Sequence, residues 1–374
     1  MLDGNATANA PTSASGNGRS SRRTLLSNML FGTRFVTIWI AALVLLVVCK
    51  IVAPSTLSSA SWSSLLVFGS IVALVALGQM LVIMMGGIDL SMGAIISLSA
   101  NVLVGVSKSS DDRLLEGIVT VFVVAVVIGL VNGFLVAVFE LNPLIVTLST
   151  SLILLGINTE YRAKNAQNTA VPDRLADFVL IDKWFGISKT FWFVAVVTIA
   201  LGVVLRSSTV GRRFQAVGAN RRAAWMAGIR VKLYVIGAYV GASIAGGMAA
   251  IFVAGRVASP GVDPGAAYLL GPVAAVVLGG AALSGGLASP TSTWIAAFFV
   301  SLLNQMLAVR GLSKASQNVV FGAAIVVGML ISGDRIAELI GRLMLRPSLR
   351  KHIEGDDDHE THVAAPSPLR HSVQ

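Results

Sequence analysis

Long, nearly uncharged apolar segments alternate with short polar stretches from about residue 36 to residue 333 of this chain. A helix that crosses a bilayer needs about 20 predominantly apolar residues, and most of the segments approach that length. The pattern predicts an all-α, polytopic membrane protein with about ten transmembrane helices, of which the shorter ones are tilted or broken. The predicted spans are 36–53, 62–85, 88–106, 115–139, 143–158, 190–206, 233–255, 266–284, 290–309 and 316–333.

Composition agrees with this pattern, because 55% of the residues are hydrophobic and only 12% are charged. A soluble domain averages about 25% charged residues. The net charge of +10 would suit nucleic acid, but the basic residues lie in the polar stretches between the apolar segments. That distribution is typical of membrane topology, so we expect contact with membrane lipid and none with nucleic acid.

The distribution of basic residues also predicts the orientation and the domain limits. The polar loop 206–232 contains seven basic residues and no acidic one, and arginines precede the first span. Because cytoplasmic loops are enriched in Lys and Arg, we expect both termini on the cytoplasmic side. We predict a disordered cytoplasmic segment at 1–33, a transmembrane domain at 34–335 and a largely disordered cytoplasmic tail at 336–374. The loop 159–189 then lies outside, either as a solvated connector or as a docking surface for a soluble partner.

A glycine-rich octet at 86–93, with the sequence Gly-Gly-Ile-Asp-Leu-Ser-Met-Gly, interrupts an apolar run. The pattern Gly-Gly-x-x-Leu-Ser-x-Gly recurs at 279–286. Paired glycine-interrupted spans in two halves of a chain indicate an internal repeat and the binding region of a transporter. We predict a helix break in each half, formed by Gly86, Gly87 and Gly93 in the first and by Gly279, Gly280, Gly285 and Gly286 in the second.

Asp89 is the one carboxylate that lies clearly within an apolar segment, and the octet alignment pairs it with Ala282. A charged side chain in a membrane is a candidate for a functional role, since its burial is costly unless it is paired. Asp is also a preferred N-cap residue, and Asp-Leu-Ser-Met-Gly is typical of a helix start. We favour capping of a helix that begins at Leu90 over direct contact with a solute.

Uncharged polar side chains are more frequent in the apolar segments than charged ones. Many of them are expected to form hydrogen bonds between helices, and the others could line a hydrophilic route for a neutral, hydroxylated solute. The candidate path residues are Asp89, Asn101, Asn132, Thr147, Ser149, Asn304 and Gln305.

Several functional classes lack the residues that they require. The sequence has no phosphate-binding Gly-x-x-x-x-Gly-Lys-Ser/Thr loop, its four histidines all lie in the C-terminal tail, and Cys49 is its single cysteine. We therefore expect a transport subunit rather than an enzyme, with no ATPase site, cofactor or metal centre of its own. An ion-coupled secondary carrier for a small hydroxylated solute is the alternative, although such carriers normally place several charged groups along the ion path.

The basic loop contains a short helical pattern from Arg221 to Ala227, with Asn220 as its N-cap and Gly228 as its C-cap. A short amphipathic helix of this kind can lie on the membrane surface. It can also insert into the groove of a partner protein. The residues alone leave both possibilities open.

Taken together, the motifs resemble those of the integral membrane permease subunits of bacterial ABC importers for ribose, galactose, xylose and related monosaccharides. The resemblance covers roughly residues 35 to 335. The matching stretches are 86–93, 129–133, 142–149, 211–228, 277–286 and 316–322.

The resemblance implies a permease of the inner membrane that pairs with a second copy or a sister permease. It also implies two cytoplasmic ATPase subunits and a periplasmic sugar-binding protein that delivers a monosaccharide or a similar small polyol. Under this resemblance the segment 211–228 becomes the element that couples the permease to the ATPase. The coupling residues are Gly211, Arg212, Gly218, Asn220, Ala223, Ala224 and Gly228.

Overall fold

The structure is a computed structural model that describes residues 33–166, 169–257, 259–313, 315–320, 322–323 and 326. The predicted terminal segments 1–33 and 336–374 lie almost entirely outside the described residues, as does most of the predicted span 316–333. The described α-helices are α1 (Thr33–Val52), α2 (Ser59–Met84), α3 (Met92–Ser107), α4 (Leu114–Val138), α5 (Pro143–Asn165), α6 (Asp173–Leu180), α7 (Lys189–Ser207), α8 (Thr209–Ala219), α9 (Arg221–Met226), α10 (Val231–Val257), α11 (Leu270–Leu278) and α12 (Pro290–Val309).

The long helices confirm the prediction of an all-α, multi-pass membrane protein. Six helical segments are long and apolar enough to cross a membrane: Ser59–Met84, Asp111–Val138, Pro143–Asn165, Lys189–Ser207, Val231–Val257 and Pro290–Val309. Shorter apolar helices lie at Thr37–Val52, Met92–Ser107 and Ala266–Leu278. Each of the first nine predicted spans therefore corresponds to helical structure, while the count of ten stays a prediction.

Several helices begin where a polar side chain binds a free backbone N–H group at the helix N-terminus. The Oδ1 atom of Asn142 accepts a hydrogen bond from the backbone N–H of Leu144 at 2.9 Å, and Pro143 occupies the first position of α5. Ser289 and Pro290 form the same combination at the start of α12. These pairs explain why the chain re-enters helix at those points, since proline needs no hydrogen-bond partner there.

Helix α2 lies at the centre of the bundle, with its buried residues running almost without interruption from Leu65 to Met84. It packs against α7, α10, α11 and α12, while α10 also packs against α3 and α4. The outward faces of α1, α4, α5 and α7 carry exposed aliphatic side chains. Such faces suit contact with lipid or with another membrane subunit.

Glycines bring α4 and α10 into close contact. A Cβ atom at Gly129 would lie 2.6 Å from the Cα atom of Val240, and one at Gly133 would lie 2.8 Å from the Cα atom of Ile236. Small residues four positions apart allow the backbones of two membrane helices to approach each other.

The chain between α10 and α11 is not helical at residues 259–265, and a single 3₁₀ turn, Ala266–Tyr268, precedes α11. Helix α11 has only 9 residues, which is about half the length needed to cross a bilayer. The second half of the bundle therefore contains a non-helical segment that continues into a short helix.

The predicted outer loop 159–189 has structure of its own. It contains the end of α5, the short helix α6 and a two-stranded antiparallel hairpin of β1 (Lys183–Trp184) and β2 (Ile187–Ser188). Phe185 lies at the hairpin tip and is 96% exposed.

Candidate translocation and coupling site

The first helix break begins with a glycine-dependent helix end. Gly86 has φ +72°, its backbone N–H donates to the carbonyl oxygen of Ile83 at 2.8 Å, and that of Gly87 donates to Val82 at 3.1 Å. This pair of hydrogen bonds with a left-handed residue is a Schellman motif. Gly86 is needed because a side chain at this φ is strained.

The second break ends α11 in the same way. Gly280 has φ +90°, its N–H donates to Val277 at 3.0 Å, and that of Ala281 donates to Val276 at 3.2 Å. The helix ends thus match Gly86 with Gly280. This register differs by one residue from the octet alignment, which paired Gly86 with Gly279.

The change of register corrects one sequence expectation. Counted from the matched helix ends, the position equivalent to Asp89 is Leu283 and not Ala282. The octet alignment was wrong here because the left-handed residue is the first glycine of one pair and the second of the other. The conclusion that only the first break carries a charge is unchanged.

The two breaks lie against each other at the end of α2. The backbone N–H of Gly286 donates to the carbonyl oxygen of Met84 at 3.0 Å. A Cβ atom at Gly285 would lie 3.1 Å from the same oxygen and 3.2 Å from the nitrogen of Gly86. We call this meeting point, formed by residues 84–86, 218 and 284–286, the glycine junction.

The segment 211–228 also reaches the glycine junction. A Cβ atom at Gly218 would overlap the carbonyl oxygen of Met84. The guanidinium group of Arg221 donates to the carbonyl oxygen of Met85. Three stretches that are far apart in sequence therefore share the carbonyl groups at the end of α2.

The short helix in this segment has the predicted N-cap, but it ends at Met226 with Ala227 as its C-cap, so Gly228 lies one position beyond the cap. The Oδ1 atom of Asn220 accepts from the N–H of Ala223 at 2.9 Å, and Gly228 has φ +77°. Ala224 is buried, whereas Trp225 and Met226 are each 70% exposed. An apolar surface of this kind on a short, rigid helix suits contact with a partner or with lipid.

The first part of the segment is fixed to α7. Gly211 lies so close to Leu205 that any side chain there would overlap its backbone. Arg212 donates to the carbonyl oxygen of Ser207 at 2.9 Å. Both residues therefore hold α8 at a defined angle to α7.

Asp89 is 1% exposed, and its carboxylate accepts hydrogen bonds from Ser91 of the same segment. Its Oδ1 atom accepts from the N–H of Ser91 at 2.8 Å and from the Oγ atom of Ser91 at 2.5 Å. Helix α3 begins at Met92 rather than at Leu90. The carboxylate thus closes the turn that leads into α3, in the manner of an Asx turn.

Neighbouring polar side chains hold the same turn from two other helices. Gln79 of α2 binds the backbone of Asp89 through its side-chain amide. The amide nitrogen donates to the carbonyl oxygen of Asp89 at 3.1 Å, and the amide oxygen accepts from its N–H at 3.0 Å. The Oγ1 atom of Thr147 accepts from the N–H of Leu90 at 3.0 Å. The first break is therefore an ordered loop and not a loose interruption.

Asn132 belongs to this network as well. It donates to the Oγ atom of Ser91 at 3.0 Å and accepts from Thr150 at 2.7 Å. Asp89, Asn132 and Thr147, three of the predicted path residues, are thus brought together with all their side chains buried.

The other predicted path residues lie elsewhere. Asn101 contacts the segment 259–265, and Gln305 donates to the carbonyl oxygen of Ser61 at 2.9 Å near the α1–α2 connection. Asn304 is half-buried beside Gln305, and Ser149 is exposed on α5. The structure therefore does not gather the seven residues into one path.

A cleft of 1380 Å³ opens beside the glycine junction. Its lining includes Arg221, Arg222, Arg230 and Lys232, together with Glu140 at the end of α4. The cleft connects the junction to the surface that carries α9.

Comparison with known proteins gives the family. A model described as branched-chain amino acid transport system / permease component matches residues 61–329. The chain belongs to this family.

Relatives of known name match over most of their own length. The ribose import permease protein RbsC of Bacillus subtilis (strain 168) is 30% identical over 302 residues, which cover 79% of this chain and 91% of the relative. The protein of the same name from Escherichia coli (strain K12) is 29% identical over 305 residues, with coverage of 79% and 92%. The D-allose transport system permease protein AlsC of Escherichia coli (strain K12) is 26% identical over 309 residues, with coverage of 82% and 93%. No solved structure gives a significant match.

Proposed function

We propose that this family member is the membrane-embedded permease subunit of an ATP-driven importer for a monosaccharide or a similar small polyol. The relatives named for import of ribose and for transport of D-allose support the class of solute. Energy then comes from ATP hydrolysis by a partner subunit, since the sequence carries no phosphate-binding loop.

The glycine junction is the observation that carries the proposal. Gly218 and Arg221 contact the carbonyl groups of Met84 and Met85, and Gly286 binds Met84 from the other break. A displacement of α8 and α9 is therefore transmitted directly to the ends of both interrupted helices. Close backbone contacts without intervening flexible side chains transmit such a movement with little loss.

The same geometry supports the proposed orientation and ATPase partner. The side of the membrane that carries α8 and α9 is the one with the seven basic residues of loop 206–232, which favours the cytoplasm. Exposed Trp225 and Met226 on α9 form the surface on which the ATPase subunit docks. Both termini then lie in the cytoplasm, with the polar segments 1–33 and 336–374.

The remaining partners are assigned to the opposite side and to the lipid-exposed faces. A periplasmic sugar-binding protein docks at the surface that includes α6 and the β1–β2 hairpin, where Phe185 is exposed. A second permease, identical or related, covers part of the outward faces of α4 and α5. Lipid covers the rest.

Reconstitution tests the proposal. The permease is placed in liposomes with the ATPase and binding protein encoded beside it, and uptake of labelled D-ribose, D-allose and D-galactose is measured with ATP on the ATPase side. We expect uptake of at least one sugar that stops when the ATPase carries a substitution in its own phosphate-binding loop. Uptake by the permease alone, driven by an ion gradient, would instead establish an ion-coupled secondary carrier.

A further inference from the structure

The non-helical segment 259–265 lies beside the middle of α3. The backbone N–H of Gly265 donates to the Oγ atom of Ser97 at 2.9 Å. At 1.5 Å per residue, Ser97 is about 8 Å from the first residue of α3 and about 15 Å from the last. Non-helical backbone at membrane depth is tolerated only where protein covers it or where it lines a water-filled cavity.

One side of the segment is covered by polar contacts. Asn101 donates to the carbonyl oxygen of Gly261 at 3.1 Å, and Asn158 donates to that of Val262. Arg162 donates to Pro260 at 3.0 Å. These side chains from α3 and α5 give the segment one defined position.

The other side is open, and it presents a carboxylate. Residues 261–263 are exposed, and the Oδ1 atom of Asp263 accepts from the Oγ atom of buried Ser97 at 2.6 Å. Among the described residues Asp263 has no salt-bridge partner, and its Oδ2 atom makes no hydrogen bond. A fixed, unpaired carboxylate at this depth cannot face lipid, because the cost of removing its charge from water would be uncompensated.

We propose that Asp263 lines the translocation path and accepts hydrogen bonds from hydroxyl groups of the passing solute. This inference rests on the proposed function and adds a selectivity to it. The second oxygen and the free lone pairs of the first can bind neighbouring hydroxyl groups of a neutral sugar. The same charge repels anionic sugars such as uronic acids and sugar phosphates.

Thiol accessibility tests the position of Asp263. The assembled transporter is prepared with Cys49→Ala, which removes the one native cysteine, and Asp263→Cys is treated with a charged, membrane-impermeant thiosulfonate reagent. We expect fast labelling. Two matched controls should stay unlabelled: Ser301→Cys, because Ser301 is 1% exposed, and Val127→Cys, because Val127 lies on the outward apolar face of α4.

Two results would overturn this placement. One is labelling of Asp263→Cys no faster than that of Val127→Cys, which would put the carboxylate at a lipid or subunit boundary. The other is an efficient disulfide between two Asp263→Cys copies, which would put it at a contact between permeases. Neither result depends on transport, so the proposed function would survive both.

Uptake by the reconstituted transporter tests the selectivity. At sugar concentrations well below saturation, Asp263→Ala should reduce uptake of the imported neutral sugar about tenfold, as expected for a lost hydrogen bond to a charged group. Asp263→Asn retains one acceptor oxygen and should lose less. Both variants should admit D-galacturonate better, relative to the neutral sugar, than the unaltered protein does.

Glu160→Gln is the control, since Glu160 is also an exposed acid but pairs with Lys164 at 2.6 Å on α5. It should change neither rate nor selectivity. Unchanged rate and unchanged discrimination in both Asp263 variants would refute the solute contact. If the unaltered transporter imports no sugar at all, the proposed function fails, and the solute assigned to Asp263 fails with it.

Discussion

The two helix breaks share one geometry at their start, but they are held in place differently. The first is held by side chains from several elements, including Gln79, Asp89 and Thr147. In the second, none of the side chains at 281–286 makes a hydrogen bond within the described residues. It is held instead by the bond from Gly286 to Met84 and by close backbone contact.

This difference indicates that the first helix break is held independently, whereas the position of the second depends on its neighbours. The first break carries its own polar framework and can keep its shape alone. The second takes its position from the first, from Gly218 and from α12, where a Cβ atom at Gly279 would lie 3.0 Å from the backbone of Thr293. Its freedom to move is therefore limited by packing against α12 and by the fit at the glycine junction, where the segment that contains α8 and α9 also makes contact.

The strongest test of this comparison uses two alanine substitutions in the second break that cause similar backbone strain. Only one of them adds an overlap at the glycine junction. Gly285 and Gly286 both have positive φ, but an added Cβ atom would contact Gly218 and Met84 at Gly285, and nothing closer than 3.9 Å at Gly286. Both alanine substitutions should cost about 2 kcal/mol from strain. Gly285→Ala should cost about 2 kcal/mol more from overlap.

Thermal unfolding in detergent and ATP-driven uptake would measure this difference. We expect Gly285→Ala to unfold at the lower temperature and to lose transport, with Gly286→Ala between it and the unaltered protein. Equal behaviour of the two variants would show that the second break does not depend on contact with the first.

The next largest effect concerns the framework of the first break. Asp89→Leu leaves the N–H and Oγ groups of Ser91 without their acceptor, at a cost of about 3 kcal/mol, and should reduce the yield of folded protein. Asp89→Asn keeps an acceptor oxygen and should retain partial transport. Normal assembly of the leucine variant with loss of transport alone would instead make Asp89 a solute contact, so yield, size-exclusion behaviour and uptake are measured together.

A smaller effect is expected where the basic segment meets the junction. Gly218→Ala should destabilise the protein by about 1–3 kcal/mol, since the new methyl group meets the backbone of Met84. Gly237→Ala is the matched control, because Gly237 is also helical and has no atom within 4 Å of an added Cβ. Stimulation of ATP hydrolysis by loaded binding protein should fall in the first variant only. If the ATPase subunit is stimulated normally in complex with either variant, the segment does not couple through Gly218.

The smallest expected effect is at the cap of α9. Asn220→Ala removes the hydrogen bond to the N–H of Ala223 and should cost about 1 kcal/mol. Asn220→Ser preserves a capping oxygen and should behave almost as the unaltered protein. The unfolding temperature measures the contribution of the cap to stability. The affinity of the permease for its ATPase subunit measures whether α9 keeps its position. A serine variant as impaired as the alanine variant would indicate a direct role of the Asn220 amide.

Local sequence signals predicted much of the site. Asn220 and Gly228 at the ends of α9, and Gly86 at the end of α2, follow from backbone requirements that act over four or five residues. Local sequence signals did not predict which of the candidate path residues lie close together. Asn101 and Asn132 look equivalent in sequence, but one holds the segment 259–265 and the other belongs to the network of Asp89. Which polar group a buried amide meets depends on helix packing, which local pattern does not encode.

The contact between Ser97 and Asp263 was not evident from the sequence. Asp263 lies between two apolar runs and has the pattern of an ordinary loop residue, next to Pro264. Asp263 lies beside the middle of α3 because α11 has only 9 residues and is too short to span the membrane. The non-helical segment before α11 therefore has to cover part of the distance.

By itself, the sequence determined the all-α, multi-pass class, the approximate limits of most helices and the absence of a phosphate-binding loop. Those properties depend on apolar run length, on glycine and capping residues, and on linear motifs. The tertiary structure alone decided that both breaks and the segment 211–228 share the carbonyl groups at the end of α2, and that the helix ends match one residue away from the octet alignment. The reason is physical: a carbonyl group left free by a broken helix can be satisfied by any donor that packing brings near it. Arg221 and Gly286 are the donors here, Gly218 packs against Met84, and only the fold brings these three residues to the end of α2.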